Sequence, residues 1–235
     1  MKDKMVKIFD DMGGDTYDKN NAFFYPVSLN LQFLNMLLLK DLPSNARILC
    51  VGVGTGVDLI DLAKTNIGWS FVGIDPASSM LRQCEEKLRK ENLSDRCTLF
   101  NGYLEDYKSE ERFDAVLCLY VMHFIKDMTL RANMYADMAK LLKKNGLLIV
   151  TEISADFKSE NYKFQLENWK ALQGHAGAPK EKLENLSKTL EEQLAVLSAE
   201  ETEKLIMNNG FEKAVPFFQS FMIRGWYARN NNKAN

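Results

Sequence analysis

The chain has 235 residues, 46% of them hydrophobic, which is enough to bury one full core and favours a single domain over residues 1–235. The formal net charge is −2, and basic residues are interspersed with acidic ones, so nucleic acid is not expected as the main partner. The four cysteines form no C-x-x-C pair and there are two histidines, so we expect no metal site. Because no disulfide pattern or apolar signal core is present, we expect a cytoplasmic protein.

The N-terminal residues 1–40 are predicted to form a helical and aromatic cap. An amphipathic helix over about residues 1–12 should end at Gly13, and an aromatic loop should occupy residues 15–27. A second helix is predicted over residues 28–40, with Ser28 as its N-cap. The apolar run over residues 31–39 contains Gln32 and Asn35 and is too short to cross a bilayer, so we expect no membrane association.

Residues 47–75 predict a strand, a glycine-rich turn, a helix and a second strand. The first strand, over about residues 47–52, runs directly into Gly52, and the helix covers about residues 56–66. The second strand, over about residues 69–75, ends at Asp75. A βαβ unit with a glycine turn and an acid at the end of its second strand is typical of a nucleoside-binding site, in which the acid accepts hydrogen bonds from ribose hydroxyls.

The spacing of the glycines distinguishes between nucleoside cofactors. Gly52, Gly54 and Gly56 are evenly spaced, whereas a dinucleotide-binding turn needs a third glycine at the position of Val57. No G-K-[ST] follows, so the turn is not a P-loop. The pattern G-x-G-x-G resembles motif I of the class I S-adenosylmethionine (SAM) dependent methyltransferases, and Asp75 falls where that family places its ribose-binding acid. The resemblance implies SAM as the cofactor.

The remaining elements predict the fold class: α/β, Rossmann-like, with a mostly parallel seven-stranded sheet, an antiparallel last strand and an added helical lid. Strands are predicted over about residues 96–100, 113–119 and 147–152, and helices over about residues 76–91, opened by Pro76, and 128–143. Residues 156–197 form the predicted helical lid, and Ser198 with Glu201 forms a capping box. A closing hairpin is predicted over about residues 214–221 and 223–229.

Ligands of open α/β sheets lie beyond the carboxyl ends of the strands, and this rule selects the candidate cofactor site. Asp75 would hold the ribose, Met80 would contact the adenine, and the ring of Tyr120 would face the sulfonium. The predicted cofactor-binding residues are Gly52, Gly54, Gly56, Asp75, Pro76, Met80, Tyr103, Leu104 and Tyr120.

One position departs from the family pattern. Many members carry an acid two residues before the first glycine of motif I, where it helps to hold the amino group of the cofactor, and this chain has Cys50 there. Asp58 lies inside the following helix, so we do not expect it to replace that acid.

Methyl transfer from a sulfonium is a direct displacement and needs little acid–base chemistry, so a clear catalytic residue is not required. His123 and Tyr120, both near the end of the fourth strand, are the candidates for a catalytic role. The N-terminal aromatic residues and the predicted lid would bind the substrate, with Phe9, Tyr17, Phe24, Tyr25 and Trp169 as candidates.

The layout also resembles the carboxy-SAM synthase branch of this fold, in its aromatic N-terminal loop, its helical segment after strand five and its ending from Glu201 to Gly225. That family converts SAM and prephenate to carboxy-SAM, and holds the added carboxylate with an arginine contributed across a dimer interface. The corresponding residue here is Lys188, which keeps the charge but lacks the bidentate fork. The resemblance implies a homodimer.

We therefore predict a SAM-dependent methyltransferase that acts on a small molecule. The alternatives are a carboxy-SAM synthase-like enzyme that modifies SAM, and a non-catalytic SAM-binding protein, which the cysteine at position 50 leaves open. An NAD-dependent enzyme is the least favoured, because Val57 breaks the dinucleotide turn.

Overall fold

The computed structural model describes residues 2–231, which form one seven-stranded sheet flanked by helices. The strands are β1 (Arg47–Val51), β2 (Ser70–Asp75), β3 (Cys97–Asn101), β4 (Phe113–Leu119), β5 (Leu142–Ile153), β6 (Val215–Ser220) and β7 (Ile223–Arg229). The helices are α1 (Lys2–Met12), α2 (Gly14–Asn21), α3 (Tyr25–Leu39), α4 (Val57–Thr65), α5 (Ser78–Lys90), α6 (Met128–Leu141), α7 (Tyr162–His175), α8 (Lys180–Glu184), α9 (Leu186–Lys188) and α10 (Ala199–Met207).

The strand order is β3-β2-β1-β4-β5-β7-β6, with β1 to β5 parallel and β7 antiparallel to both of its neighbours. This confirms the predicted fold class. The order reverses direction between β1 and β4, which is the switch point at which ligands bind in open α/β sheets.

Both faces of the sheet are covered, because successive residues of a strand point to opposite sides. On one side Leu49 and Val51 of β1 pack with Tyr135 of α6 and Ile206 of α10. On the other side Ile48 and Cys50 pack with Leu59 of α4 and Leu88 of α5. The nearly continuous apolar sequence of β4 follows from this double burial, since its residues 113–118 are all buried.

The N-terminal segment differs from the prediction. Gly13 adopts a left-handed φ of 74°, which turns the chain, but a new helix α2 follows at once where a loop was predicted. Helix α3 begins at Tyr25, so Ser28, the predicted N-cap, lies inside the helix. Pro26 lies in the first turn, where proline is favoured.

Two further boundaries differ. Helix α5 begins at Ser78, so Pro76 lies in the loop before it. Strand β5 begins at Leu142, five residues earlier than predicted. Asn145 takes a left-handed φ of 61°, but it lies inside the strand and does not separate it from α6. The capping box of Ser198 and Glu201 at the start of α10 is confirmed, as is the closing hairpin of β6 and β7.

Residues 156–197 form a helical segment that contains α7, α8 and α9. Trp169 and Leu166 of α7 pack with Leu190 and with Met222 beside β7, and so attach the segment to the last two strands. Arg131 of α6, fully buried, donates to the Ala195 carbonyl at 2.6 Å and thereby ties the end of this segment to the central sheet.

The helical run over residues 14–39 is the one segment, within the part of the chain that is described, whose length and composition would allow it to cross a membrane. Leu31, Asn35 and Leu39 on one side of α3 are buried, and the helix contacts α4 and β6. Its other side exposes large apolar side chains at Tyr25, Leu29, Phe33 and Leu37.

Candidate functional site

A cavity of about 560 Å³ lies at the switch point of the sheet. Its lining comes from the ends of β1, β2 and β4, from the residues after β3, and from α1, α2 and α6. The lining residues are Met5, Val6, Phe9, Tyr17, Val51, Gly52, Ile74, Asp75, Pro76, Ala77, Met80, Gly102, Tyr103, Leu104, Glu105, Leu119, Tyr120, Val121, Phe124, Ile125, Lys126, Asp127, Leu130 and Met134. This volume falls within the range of small-molecule and cofactor sites.

The glycine turn keeps the backbone close to this cavity. A Cβ atom on Gly52 would lie 2.3 Å from Cγ2 of Val121, and a φ of 66° favours glycine there. Gly54 has a φ of 56° and would meet no atom within 4 Å, so the space beside it is open. Gly56 has a different role, because it packs against Cys84 and precedes α4 in a left-handed conformation.

Asp75 is fixed by the backbone around it. Its Oδ2 accepts a hydrogen bond from the Gly54 amide and its Oδ1 accepts one from the Ala77 amide, both at 2.8 Å. The side chain is 8% exposed, and burial raises its pKa while these two hydrogen bonds lower it. Each carboxylate oxygen retains a lone pair that can accept from a ligand hydroxyl.

Tyr120 follows β4 in a left-handed conformation with a φ of 60°, which is uncommon for a bulky residue. Its amide donates to the carbonyl of Thr151 at 2.8 Å, and this contact with β5 holds the strained backbone in place. Burial, followed by the negative charge of Asp58, raises the pKa of the Tyr120 hydroxyl, so the phenol stays protonated at neutral pH.

Helices α1 and α2 close over the glycine turn. The hydroxyl of Thr55 donates to Asp18 Oδ1 at 2.6 Å, and Lys87 of α5 forms an ion pair with the same carboxylate at 2.6 Å. The Ser79 amide donates to Asp10 Oδ1 at 2.8 Å. Tyr17, which lines the cavity, is held under this cover, and burial with the nearby Asp58 raises its pKa to about 12.

An acidic residue, Asp58, lies near Cys50, the position at which the family pattern has an acid. Cys50 is buried at the end of β1, and Asp58 lies half-buried in the first turn of α4. After burial, the charge of Asp58 is the largest influence on the pKa of the Cys50 thiol, which it raises. Asp58 lies inside α4, as expected, and the first turn of this helix follows directly after the glycine turn. That Asp58 does not replace the missing acid stays a prediction.

Most of the predicted cofactor residues meet at the cavity: Gly52, Asp75, Pro76, Met80, Tyr103, Leu104 and Tyr120 all line it, as does the predicted substrate residue Tyr17. Gly54 touches the site through its bond to Asp75, and Gly56 shapes the turn.

Besides Gly54 and Gly56, five predicted site residues are not among the described lining residues: His123, Phe24, Tyr25, Trp169 and Lys188. His123 is buried beside Phe124, and its Nδ1 accepts a hydrogen bond from the Ile153 amide at 3.3 Å. Burial lowers its pKa to about 3. These contacts favour a structural role for His123 over that of a general base. Trp169 is buried against Phe24. Tyr25 and Lys188 are exposed at the surface and do not line this cavity.

Several lining residues were not predicted, because they lie on helices whose packing the sequence does not specify. Met5 and Val6 come from α1, which also contributes the predicted Phe9, and Leu130 and Met134 come from α6. The i, i+4 spacing on each helix signals an apolar face, but an apolar face that covers a cavity has the same sequence pattern as one that covers a core.

Known proteins resemble this chain in sequence and in fold. A family model described as "Methyltransferase domain" matches residues 48–146, which include the glycine turn, Asp75 and Tyr120. A carboxy-S-adenosyl-L-methionine synthase from Campylobacter concisus is 28% identical over 222 residues, which cover 92% of this chain and 88% of the relative.

Solved structures share the fold. A putative O-methyltransferase from Nostoc punctiforme superposes with a TM-score of 0.65 at 16% identity, over 86% of this chain and 56% of that one. A phosphoethanolamine N-methyltransferase from Haemonchus contortus, solved with S-adenosyl-L-methionine, superposes with a TM-score of 0.56 at 21% identity, over 80% of this chain and 38% of that one. The present chain thus spans little more than half the length of the first of these structures and less of the second.

Proposed function

We propose that this chain, which belongs to the class I SAM-dependent methyltransferases, transfers a methyl group from SAM to a small-molecule acceptor held in the cavity. The observation that carries the proposal is the carboxylate of Asp75, which is fixed by the Gly54 and Ala77 amides at the edge of that cavity. A ribose has two adjacent hydroxyls that such a carboxylate binds.

The residues present fit SAM. Asp75 would hold the ribose, and Tyr103, Leu104 and Met80 would surround the adenine. The open space beside Gly54, which a side chain would fill, leaves room for a ligand to approach the backbone. When bound, SAM supplies a methyl group on a positively charged sulfur, and the ring of Tyr120 is placed to favour that charge.

The contribution of the chain to the reaction is alignment and exclusion of water. Helix α2 is fixed on the glycine turn through Asp18 and Thr55, and α1 is fixed on the start of α5 through Asp10 and Ser79. This cover would keep solvent from the reacting groups. The phenol of Tyr120, whose pKa is raised by burial, acts as a hydrogen-bond donor and not as a base at neutral pH. This site therefore suits acceptors whose attacking atom is nucleophilic without prior deprotonation by a strong base.

The lining favours an acceptor that is largely apolar. Its charged members are Asp75, which is assigned to the ribose, and Glu105, Lys126 and Asp127, which are exposed. Lys126 donates to the carbonyl of Glu192, so the helical segment over residues 156–197 reaches the edge of the cavity and would cover a bound acceptor as the predicted lid. Because SAM would fill much of the 560 Å³, the acceptor is small.

The test is to incubate the purified protein with SAM and panels of phenols, amines and carboxylates, and to follow S-adenosylhomocysteine by mass spectrometry. Acceptor-dependent formation of S-adenosylhomocysteine supports the proposal, provided that it is lost in Asp75→Asn. Binding of SAM without turnover on any panel, together with a crystal structure in which the acceptor space is filled, would favour a non-catalytic SAM-binding protein.

A second candidate function is modification of SAM itself. The relatives named carboxy-S-adenosyl-L-methionine synthase match almost the full length of this chain at 28% identity or less, which fits this alternative without favouring it over methyl transfer. Lys188, the residue in the position of the family arginine, is exposed and lies outside the cavity of its own chain, so it would serve only the cavity of another copy. Carboxy-SAM bound to the purified protein would establish this function.

We also propose a homodimer in the cytoplasm. The exposed apolar side of α3, with Tyr25, Leu29, Phe33 and Leu37 at intervals of four residues, supports self-association. The four cysteines are all buried and unpaired, which supports a reducing compartment. Analytical ultracentrifugation of the wild type and of a Leu29→Glu, Phe33→Glu variant tests the dimer: a monomeric wild type would refute it.

A further inference from the structure

We propose that Arg131 is a positioning residue that couples the helical segment over residues 156–197 to one wall of the cavity. A ligand that stabilises this wall thereby also fixes the segment, and the segment in turn holds the ligand in place. The inference rests on the proposed function, because the ligand is the cofactor of the same site. It assigns a role in the reaction to a buried residue that does not itself line the cavity.

One wall of the cavity is a continuous stretch of chain that runs from the short helix after β4 into the first turn of α6. The residues of this wall that line the cavity are Phe124, Ile125, Lys126, Asp127 and Leu130. Arg131 follows directly and is fully buried behind them. Its amide donates to the Asp127 carbonyl at 2.9 Å, so the turn of helix that carries the guanidinium also carries the wall.

The guanidinium of Arg131 joins two parts of the chain that are distant in sequence. One terminal nitrogen donates to the Ala195 carbonyl at 2.6 Å, at the end of the helical segment. The other donates to the carboxylate of Glu152 at the end of β5, which also accepts from Thr202 of α10 at 2.7 Å. Because the planar fork holds two acceptors in fixed directions, Arg131 fixes the position of Ala195 relative to the sheet.

The same end of the helical segment is bonded to the wall. The Ala195 amide donates to the His123 carbonyl at 2.8 Å, and Nζ of Lys126 donates to the Glu192 carbonyl. Residues 192–195 are therefore bonded to the wall at two points and to Arg131 at a third. None of these four residues is among the described lining residues, so a ligand in the cavity acts on them through these bonds.

The ion pair of Arg131 and Glu152 is not needed for stability alone. The desolvation of a buried ion pair costs as much as its attraction contributes or more, and well-packed apolar residues of similar volume are often at least as stable. An apolar side chain at position 131, however, supplies no donor for the Ala195 carbonyl. The arginine thus adds a fixed connection between the wall and the segment, which is what a segment that closes over a ligand requires.

Hydrogen exchange followed by mass spectrometry, with and without saturating S-adenosylhomocysteine, tests the coupling. The variants are Arg131→Lys, which keeps the charge but lacks the planar fork, and the double variant Arg131→Met, Glu152→Leu, which leaves no buried charge. Lys140→Met is the matched control, because it removes an exposed ion pair with Asp137 from the same helix. Titration calorimetry measures the affinity of each protein for S-adenosylhomocysteine.

In the wild type we expect S-adenosylhomocysteine to slow amide exchange in residues 121–127 and also in residues 189–197. In both Arg131 variants the slowing in residues 189–197 should decrease about 2- to 30-fold, while that in residues 121–127 remains. Since coupling is reciprocal, the affinity for S-adenosylhomocysteine should decrease in the same two variants. Lys140→Met should keep both effects and the wild-type affinity.

The outcomes separate coupling from a purely structural role. A variant that is only destabilised exchanges faster throughout the sheet and keeps the ligand-dependent difference in residues 189–197, and this result for both Arg131 variants would overturn the proposal. A wild type that binds S-adenosylhomocysteine without slower exchange in residues 189–197 would also overturn it, while the cofactor site stands. If the wild type binds no S-adenosylhomocysteine, the proposed function fails as well. Circular dichroism checks folding, and if Arg131→Lys is unfolded the double variant provides the comparison.

Discussion

The Asp75 carboxylate and the Gly54 amide are joined by a hydrogen bond of 2.8 Å that connects the end of β2 to the glycine turn after β1. Asp75, the acid that we propose binds the ribose, is thus held by the same turn that leaves open space beside Gly54. A second bond, from the Ala77 amide, fixes the other oxygen, so the carboxylate is oriented before any ligand arrives.

The first prediction concerns Asp75→Asn. The amide side chain loses the charge, and its nitrogen cannot accept from a backbone amide, so one of the two fixing bonds is lost. A hydrogen bond to a charged group contributes about 1.5–3 kcal/mol, so we expect S-adenosylhomocysteine affinity to fall about 10- to 100-fold. Titration calorimetry should show the same loss for 5′-methylthioadenosine, because both ligands have the ribose. Unchanged affinity for both would contradict the ribose assignment.

The second prediction concerns stability against pH in Asp58→Asn. Burial raises the pKa of Asp58 from 3.8 to about 6, so between those values the folded state binds more protons than the unfolded state. The free energy of unfolding of the wild type therefore falls as pH rises through this range, and Asp58→Asn removes that loss. We expect the variant to be about 1–2 kcal/mol more stable at pH 7.5, less than the full shift implies because the side chain is partly exposed.

Urea unfolding at pH 4, 5, 6 and 7.5 measures this effect. The difference between Asp58→Asn and the wild type should shrink towards pH 4, where the aspartate is protonated in the folded state. Asp95→Asn, which removes an exposed carboxylate outside α4, is the control and should show no such trend. A variant that is less stable than the wild type at pH 7.5 would contradict this prediction. It would mean that the charged carboxylate stabilises the folded protein, for example through the helix N-terminus, more than its burial destabilises it.

The third prediction concerns the cover formed by α1 and α2. Asp18 accepts from Thr55 and pairs with Lys87, so Asp18→Ala removes two contacts that hold α2 against the body of the protein. We expect faster exchange of backbone amides in residues 4–21 and a shorter residence time of S-adenosylhomocysteine, with a smaller change in its association rate. Hydrogen exchange and stopped-flow binding measure the two effects. Asp11→Ala, which removes an exposed pair with Lys7, is the matched control.

The fourth prediction concerns the buried pair of Arg131 and Glu152. Both side chains are fully buried, and Glu152 also accepts from Thr202 at 2.7 Å, so the pair connects α6, β5 and α10. Removing one partner leaves an uncompensated buried charge, and Arg131→Met should destabilise the protein by about 3–5 kcal/mol. The double variant Arg131→Met, Glu152→Leu should recover much of that loss. Chemical denaturation of the three proteins tests this, and equal destabilisation by the single and double variants would contradict it.

The sequence was sufficient to predict the sheet and the centre of the site. The glycine spacing, Asp75 at the end of β2 and the apolar run of β4 each depend on contacts that are local or set by the strand period. Pattern alone therefore selected Gly52, Asp75 and Tyr120, which all line the cavity; their roles towards a cofactor stay a prediction. The sequence does not predict the left-handed φ of Tyr120, because such a φ is expected from the residue type only at glycine or asparagine.

The cover and the depth of the site could not be predicted in the same way. Whether Gly13 ends a helical segment or only turns it depends on how α2 packs against α5, where Gly14 leaves room for Gln83. The distance between Asp58 and position 50 depends on where α4 begins, and a shift of two residues along the helix would have turned the carboxylate away from Cys50.

The measurement that tests the central claim most directly is mass spectrometry of small molecules released from freshly purified, denatured protein. We predict SAM or S-adenosylhomocysteine, bound through its ribose by Asp75. Carboxy-SAM would contradict methyl transfer as the function and assign the chain to SAM modification. Neither ligand in the released fraction, and no binding when SAM is added back, would contradict the account as a whole.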